Sequence, residues 1–309
     1  MEYPEHIDSD TTAGTIYVVV AVFNRLSFTC RFLECMRNQT FSNFEVIVVD
    51  DGSTDGTAEV IAEHFKEVQL LRGDGNLWWT GATNLGIRHA MTYAATGDAI
   101  LVINNDLEVN LDYLERLHEL HVAIPKALIG SVVVDIGNPG TIVDGGRIVN
   151  WWSAKFRTVN ANRQLLEFAR NYYVDVSLLT GWGTLIPIEV FRDIGLYDDR
   201  HFQQCGDTEL TVRASRVGYR LIVSYAAVAK VHTEATDRTN TSTYYSLRDL
   251  KKYLFDIKSN YRLRYRLFFS FNTARHPLAC ISFMVCDLLR ISWHFLFRLR
   301  VLNRRHLLR

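Results

Sequence analysis

The chain has 309 residues, 48% hydrophobic and 22% charged, which suits a folded protein with a large core and excludes a disordered or fibrous one. A formal net charge of zero conceals a split: from residue 244 onward fourteen Lys/Arg face three Asp/Glu, so the tail carries about +11 and the body about −11. Five cysteines without framework spacing point to free thiols in a reducing compartment, and the polar first fourteen residues lack a signal peptide's apolar core, so secretion is not expected.

Residues 16–23 (IYVVVAVF) read as a strand buried on both faces, since an unbroken β-branched run leaves no polar side for water. A helix starts near Ser27 and stops by Thr40. Residues 44–49 form a second buried strand, broken by Asp50-Asp51-Gly52-Ser53, and Asp55 or Thr57 can cap the helix suggested by residues 58–65. The first two strands and their helix make a β-α-β unit with a right-handed crossover. No G-x-G-x-x-G follows the first strand, which argues against a dehydrogenase-type dinucleotide fold. After a short strand at 68–71, the loop at 73–79 carries Trp78 and Trp79, rings that either close over a base or sugar or anchor the core. A helix over 81–94 opens with Gly81, Ala82 and Thr83 and holds Asn84 in its first turns, where small side chains let N–H groups approach a phosphate or sugar.

The fourth buried strand, 98–103, ends in Asn104-Asn105-Asp106, and Asn110 is placed to cap a helix reaching about residue 122. Strands are expected at 127–134 and at 141–149, the second turning at Gly145-Gly146. An irregular aromatic stretch spans 151–170, and another strand spans 172–179. Gly181-Trp182-Gly183 precedes the apolar segment 184–188. Asp207 opens a helix over 208–216 that Gly218 stops, and 219–224 and 227–231 finish the sheet with His232 at its end. The result is an α/β chain whose sheet is mostly parallel. In open sheets of this kind ligands bind beyond the carboxyl ends of the strands, where Asp50 and Asp51 project.

Asn38-Gln39-Thr40-Phe41 followed by Phe44-Glu45-Val46-Ile47-Val48-Val49-Asp50-Asp51-Gly52-Ser53-Thr54-Asp55 resembles a signature of the family 2 glycosyltransferases, and the likeness covers roughly residues 15 to 235. It implies the GT-A nucleotide-sugar-binding fold. By the same resemblance Ala21, Phe23 and Arg25 would line a base pocket and Asp51 would hydrogen-bond the base. Asn84, Asn105 and Trp182 would join the donor site, Trp182 through a glycine-flanked turn where the family binds donor sugar or acceptor. The family's D-x-D metal motif reads Asn104-Asn105-Asp106 here, leaving Asp106 as the ligand for Mg²⁺ or Mn²⁺ and weakening the case for strict metal dependence. His232 matches a family histidine that reaches the metal or diphosphate. The family's Glu-Asp pair at a helix start is Gly206-Asp207 here, with Asp207 in the place of the catalytic base.

The resemblance thus implies an inverting, non-processive sugar transfer. The donor would be a nucleotide-diphospho-sugar, UDP- or dTDP-linked first of all, and the acceptor a saccharide or lipid-linked saccharide, as in surface polysaccharide synthesis. A sugar-1-phosphate nucleotidyltransferase and a non-catalytic nucleotide-sugar-binding relative are the alternatives. The chain divides into a polar tail (1–14), a catalytic domain (15–243) and a basic, amphipathic helical extension (244–309). No stretch of about eighteen uninterrupted apolar residues occurs, so no ordinary membrane span is expected. The extension either lies against anionic lipid, giving a cytoplasmic protein peripheral to the inner membrane face, or packs as a helical cap. No nucleic-acid recognition module is present.

Overall fold

The computed structural model describes residues 1, 14–138, 140–204, 206–231, 251, 254–256, 259 and 262–306, with side chains as far as residue 296. Strands β1 (Ile16–Val22), β2 (Phe44–Asp50), β3 (Gln69–Arg72) and β4 (Ala99–Val102) lie parallel in the order β4-β1-β2-β3. Ile16 pairs with Phe44 and Val22 with Asp50, so β1 and β2 end level and their following loops meet. The crossovers are α1 (Leu26–Arg37), α2 (Thr57–His64) and α3 (Trp78–Ala90). Successive side chains of β1 enter opposite cores. Val18, Val20 and Val22 pack with Phe32 and Leu33, whereas Tyr17 and Val19 pack with Ile87 and Ala90. Both faces are covered by helices, which is why the strand sequences show no polar alternation.

The sheet extends past β4 through β11 (Thr184–Pro187), which runs antiparallel to both β4 and β6 (Ala127–Asp135). Next come β12 (Arg220–Val231), parallel to β6, and the antiparallel edge strand β10 (Tyr173–Asp175). Strand β5 (Leu107–Val109) pairs with β12, and β7 (Ile142–Asp144) with β6. Helices α4 (Tyr113–Ala123), α5 (Ile188–Ile194) and α6 (Gly206–Arg216) complete this half.

Several elements differ from expectation. The two strands foreseen at 219–224 and 227–231 are one strand, β12, whose register shifts between Ser224 and Val228, as a bulge does. The stretch at 151–170 is partly regular: β8 (Arg147–Asn150) and β9 (Lys155–Thr158) pair as a hairpin. The strand expected over 172–179 stops at Asp175, after which the N–H groups of Ser177 and Leu178 turn to the carbonyl of Arg147. Trp78 and Trp79 start α3 rather than lying in the loop before it.

Helices α7 (Leu263–Thr273) and α8 (Pro277–His306) pack on the β8–β9 hairpin and on α6 around Trp151, Phe202, Phe269 and Phe283. The stretch Pro277–Leu296 has a mean hydropathy of 1.4 over a membrane-spanning length, although one third of it is buried in the protein. The unbroken-run criterion missed this because Asp287 and Arg290 interrupt the apolar sequence. Cys30, Cys35, Cys280 and Cys286 are free thiols.

Candidate active site

The loops after β1 and β2 are locked together by side chains that replace missing backbone partners. Asn24, in the left-handed region at φ 51°, takes a hydrogen bond from the Thr54 N–H at 2.8 Å and donates its own N–H to Ser53 Oγ at 2.9 Å. Asp55 accepts from the Leu26 N–H at 2.9 Å and from the Thr57 N–H at 3.2 Å, and so joins the starts of α1 and α2. This accounts for the Ser53-Thr54-Asp55 run: the Ser53 and Asp55 side chains accept loop or helix-end amides, and Thr54 donates its own N–H to Asn24. The expected capping of α2 is performed by Asp55, one residue before the Gly56 that occupies the cap position.

Asp51, 6% exposed, accepts three backbone N–H groups: Gly75 at 2.9 Å, Leu77 at 3.3 Å and Trp78 at 3.0 Å. These are orphan donors at the start of α3, so a carboxylate from the loop after β2 acts as that helix's cap. Trp78 stands at φ 55°, a conformation costly for a bulky residue, and the bond to Asp51 helps hold it. Gly73 is needed beside Asp51, because a Cβ there would come within 2.4 Å of its Oδ1.

Trp79 connects this edge to the opposite wall. Its Nε1–H donates to Asn104 Oδ1 at 3.0 Å, and its ring meets Tyr197 edge-on at 6.0 Å between centroids. A Cβ on Gly181 would lie 2.8 Å from the Trp79 ring, so only glycine permits this approach. The Gly181 N–H in turn donates to Asp207 Oδ2 at 2.6 Å. One chain of contacts therefore runs from Asp51 through Trp78–Trp79 to Asn104, Gly181 and Asp207. Burial raises the Asp207 carboxyl above the ordinary aspartate range, against the opposing pull of the Gly181 and Thr208 N–H groups and the Arg147 charge. Tyr197 is raised as well, by its own burial first and the Asp207 charge second. Gly206 leaves room for Thr80: a Cβ at 206 would approach its Cγ2 to 2.8 Å.

Asp106 uses one carboxylate oxygen to accept from Arg25 Nη1 at 2.9 Å, while the other, Oδ1, is buried with no hydrogen-bond partner. An unpartnered buried carboxylate oxygen fits a cation ligand, since leaving it unpaired is costly. Among the described residues no group of three or more His, Cys, Asp or Glu gathers to ligate an ion, so Asp106 would share it with substrate oxygens. His232 lies outside the described residues.

The remaining candidates divide. Phe23, 55% exposed at the end of β1, presents a free ring face, next to half-buried Ala21. Arg25 points to Asp106. Trp182 is half-buried against the core. Asn84 is buried, and its amide donates to the Tyr197 carbonyl at 2.9 Å and accepts the Tyr197 N–H at 3.1 Å, which fixes that loop in the interior. Asn105 is likewise buried and donates to Thr29 Oγ1 at 2.8 Å. Sequence reasoning missed Trp79 as the joint between the two walls. Its only local signal was the adjacent tryptophan pair.

A family model described as Glycosyl transferase family 2 matches residues 17–191, more than half of the chain. An uncharacterized glycosyltransferase of Rickettsia bellii is 36% identical over 105 residues, 33% of this chain, which spans only 15% of that relative's length. The N-acetylglucosaminyl-diphospho-decaprenol L-rhamnosyltransferase of Mycobacterium tuberculosis is 24% identical over 245 residues, covering 73% of this chain and 78% of the relative. Among solved structures, GalNAc-T7 with UDP, GalNAc and Mn²⁺ superposes with a TM-score of 0.58 at 18% identity, over 72% of this chain and 44% of that one. With helices on both faces of a mostly parallel sheet and acidic loops at its carboxyl edge, the chain has the GT-A fold and belongs to glycosyl transferase family 2.

Proposed function

We propose that the chain is an inverting, non-processive glycosyltransferase acting on a hydroxyl of a saccharide or lipid-linked saccharide. The observation that carries this reading is Asp207: a carboxylate raised by burial, aimed into the wall that Trp79 and Gly181 join to the Asp106 loop. Such a group accepts a proton more readily than an ordinary aspartate, as suits a general base. In the proposed reaction Asp207 takes the proton of the acceptor hydroxyl, whose oxygen attacks the anomeric carbon as the nucleoside diphosphate leaves from the opposite face. One C–O bond forms and one breaks, and the anomeric configuration inverts. Phe23 offers a ring face for the base, and Asp51 holds the loop before α3 at the donor's edge. Asp106, with His232 as a further candidate, would hold Mg²⁺ or Mn²⁺. Bound there, the cation would offset the charge that develops on the leaving diphosphate.

Residues 15–243 are proposed as the catalytic domain and 244–309 as an extension that brings the enzyme to the inner face of a membrane. A lipid-linked acceptor in surface polysaccharide synthesis would suit that placement. The direct test is nucleoside diphosphate release from a panel of UDP-, dTDP- and GDP-sugars with acceptor present, with and without Mn²⁺. Release with a single donor class, lost in Asp207→Asn, is the expected result. Formation of inorganic pyrophosphate from a nucleoside triphosphate and a sugar phosphate would instead mark a nucleotidyltransferase, and binding without turnover a non-catalytic relative.

A further inference from the structure

Helix α8 is amphipathic in the inverse sense. Its charges between Pro277 and Leu296 lie inward or at the edge of the inward face: Asp287, 3% exposed, lies 3.5 Å from both Arg266 of α7 and Arg290, whose side chain is 42% exposed. Arg290 also donates to the carbonyls of Ser153 and Ala154 in the β8–β9 hairpin. Phe283, Ile291 and Phe295 fill the rest of that face. The outward face carries none. Leu278, Ile281, Val285, Leu289, Trp293 and Leu296 recur at helical spacing, each more than half exposed, with Leu289 at 66% and Trp293 at 69%. The polar residues among them are Ser282 and Ser292. A helix that merely capped a soluble domain would turn charges to water and apolar side chains inward. Beside this stripe Trp152, 58% exposed in the hairpin turn, is tied to α8 through Ser282 Oγ, which donates to its carbonyl at 2.7 Å.

We propose that this outward face of α8, with Trp152, docks in the plane of an anionic lipid bilayer. Charge complementarity selects the occupant: the sequence after Leu296 holds Arg298, Arg300, Arg304, Arg305 and Arg309 and no acidic residue, so a basic end follows directly on the apolar stripe. Exposed tryptophans at both ends of the patch suit the boundary between headgroups and acyl chains. The helix lies flat rather than spanning, because its inward charges are held by α7 and the hairpin. The surface also has a route to the chemistry. Tyr265 of α7 hydrogen-bonds Thr208 at 3.1 Å, next to Asp207, so a docked α8 places the base's wall close to a lipid-borne acceptor. The inference deepens the membrane contact proposed above by naming its surface, orientation and lipid class.

The test is flotation of the full chain with phosphatidylglycerol/phosphatidylcholine vesicles and with pure phosphatidylcholine vesicles. Binding to the first and little to the second is expected. The pair Leu289→Ser/Trp293→Ser should lower the partition at least about tenfold, and replacing Arg298, Arg300, Arg304 and Arg305 by Gln should lower it about fivefold per arginine. Because the first pair is exposed, its melting temperature and its turnover on a water-soluble acceptor should match the parent, which separates failed docking from failed folding or a failed enzyme reading. No flotation, equal binding to neutral vesicles, or binding indifferent to Leu289→Ser/Trp293→Ser would overturn the proposal. So would resistance to alkaline extraction, which marks a span, or a dimer that those substitutions dissolve without any vesicle binding, which assigns the face to a second copy.

Discussion

Asp51 and Asp207 stand at the same edge of the sheet, and each meets the start of a helix, yet their surroundings give them different work. Asp51 accepts three backbone N–H groups and fastens the loop before α3. Asp207 accepts the Gly181 N–H and that of Thr208 in its own helix, yet burial outweighs these donors and raises its carboxyl. A carboxylate surrounded by fixed donors is a clamp, because its charge is already satisfied. One whose burial outweighs its donors holds a proton more readily than an ordinary aspartate does. The comparison teaches that where a carboxylate's donors come from, a single loop for Asp51 and two elements including its own helix for Asp207, distinguishes the two better than their position in the fold does.

The strongest way to break this comparison is Asp207→Asn. Transfer should fall by roughly 10²–10⁴-fold with donor affinity nearly unchanged, read by steady-state kinetics and by calorimetric titration of the nucleoside diphosphate. Retained turnover would make Asp207 another structural cap. Next comes Asp106→Ala, which removes the unpartnered oxygen and should cost about 10²-fold in Mn²⁺-supported turnover. Loss of Mn²⁺-dependent nucleotide binding in a thermal-shift titration would locate the defect at the cation.

Asp51→Ala should act the other way, as a stability lesion of about 2–3 kcal/mol from orphaned amides at the start of α3, seen in urea denaturation. A variant as stable as the parent but unable to bind donor would show that Asp51 serves the ligand directly. The acid side of the kcat/KM profile sharpens the contrast further. With Asp207 raised by burial, activity should disappear on acidification at a higher pH than an ordinary aspartate would set. The sign for stability follows from the same shift. The folded state holds that proton more tightly than the unfolded chain, so the contribution is present below the unfolded pKa and lost as pH rises through the folded one. Ionised Asp207 is therefore a burden at neutral pH, and Asp207→Asn should melt at the same or a higher temperature than the parent. The smallest effect is expected from Trp79→Phe, which deletes the bond to Asn104 and should cost about 1 kcal/mol, a few-fold in turnover.

The buried strands and the acidic loops were readable from local sequence because fully buried strands need unbroken apolar runs and loops need turn residues, both of which are properties of neighbours in the chain. The strands β1, β2 and β4 therefore fall within a residue or two of their expected limits. The same locality explains the misses. The bonds of Asn84 to Tyr197 join residues more than a hundred positions apart, which no local pattern shows. The tryptophan pair read as a loop because the acceptor that starts α3 at Trp78 is the side chain of Asp51, in the loop after β2.

By itself the sequence determined an α/β sheet covered on both faces, an acidic edge at its carboxyl end and a basic helical tail, since each follows from the order of side chains along a short segment. Only the tertiary structure decided which carboxylate fastens the loop before α3, which one burial raises, and which side of α8 faces out. Those depend on donors, charges and excluded water supplied by distant parts of the chain, and no local pattern encodes them.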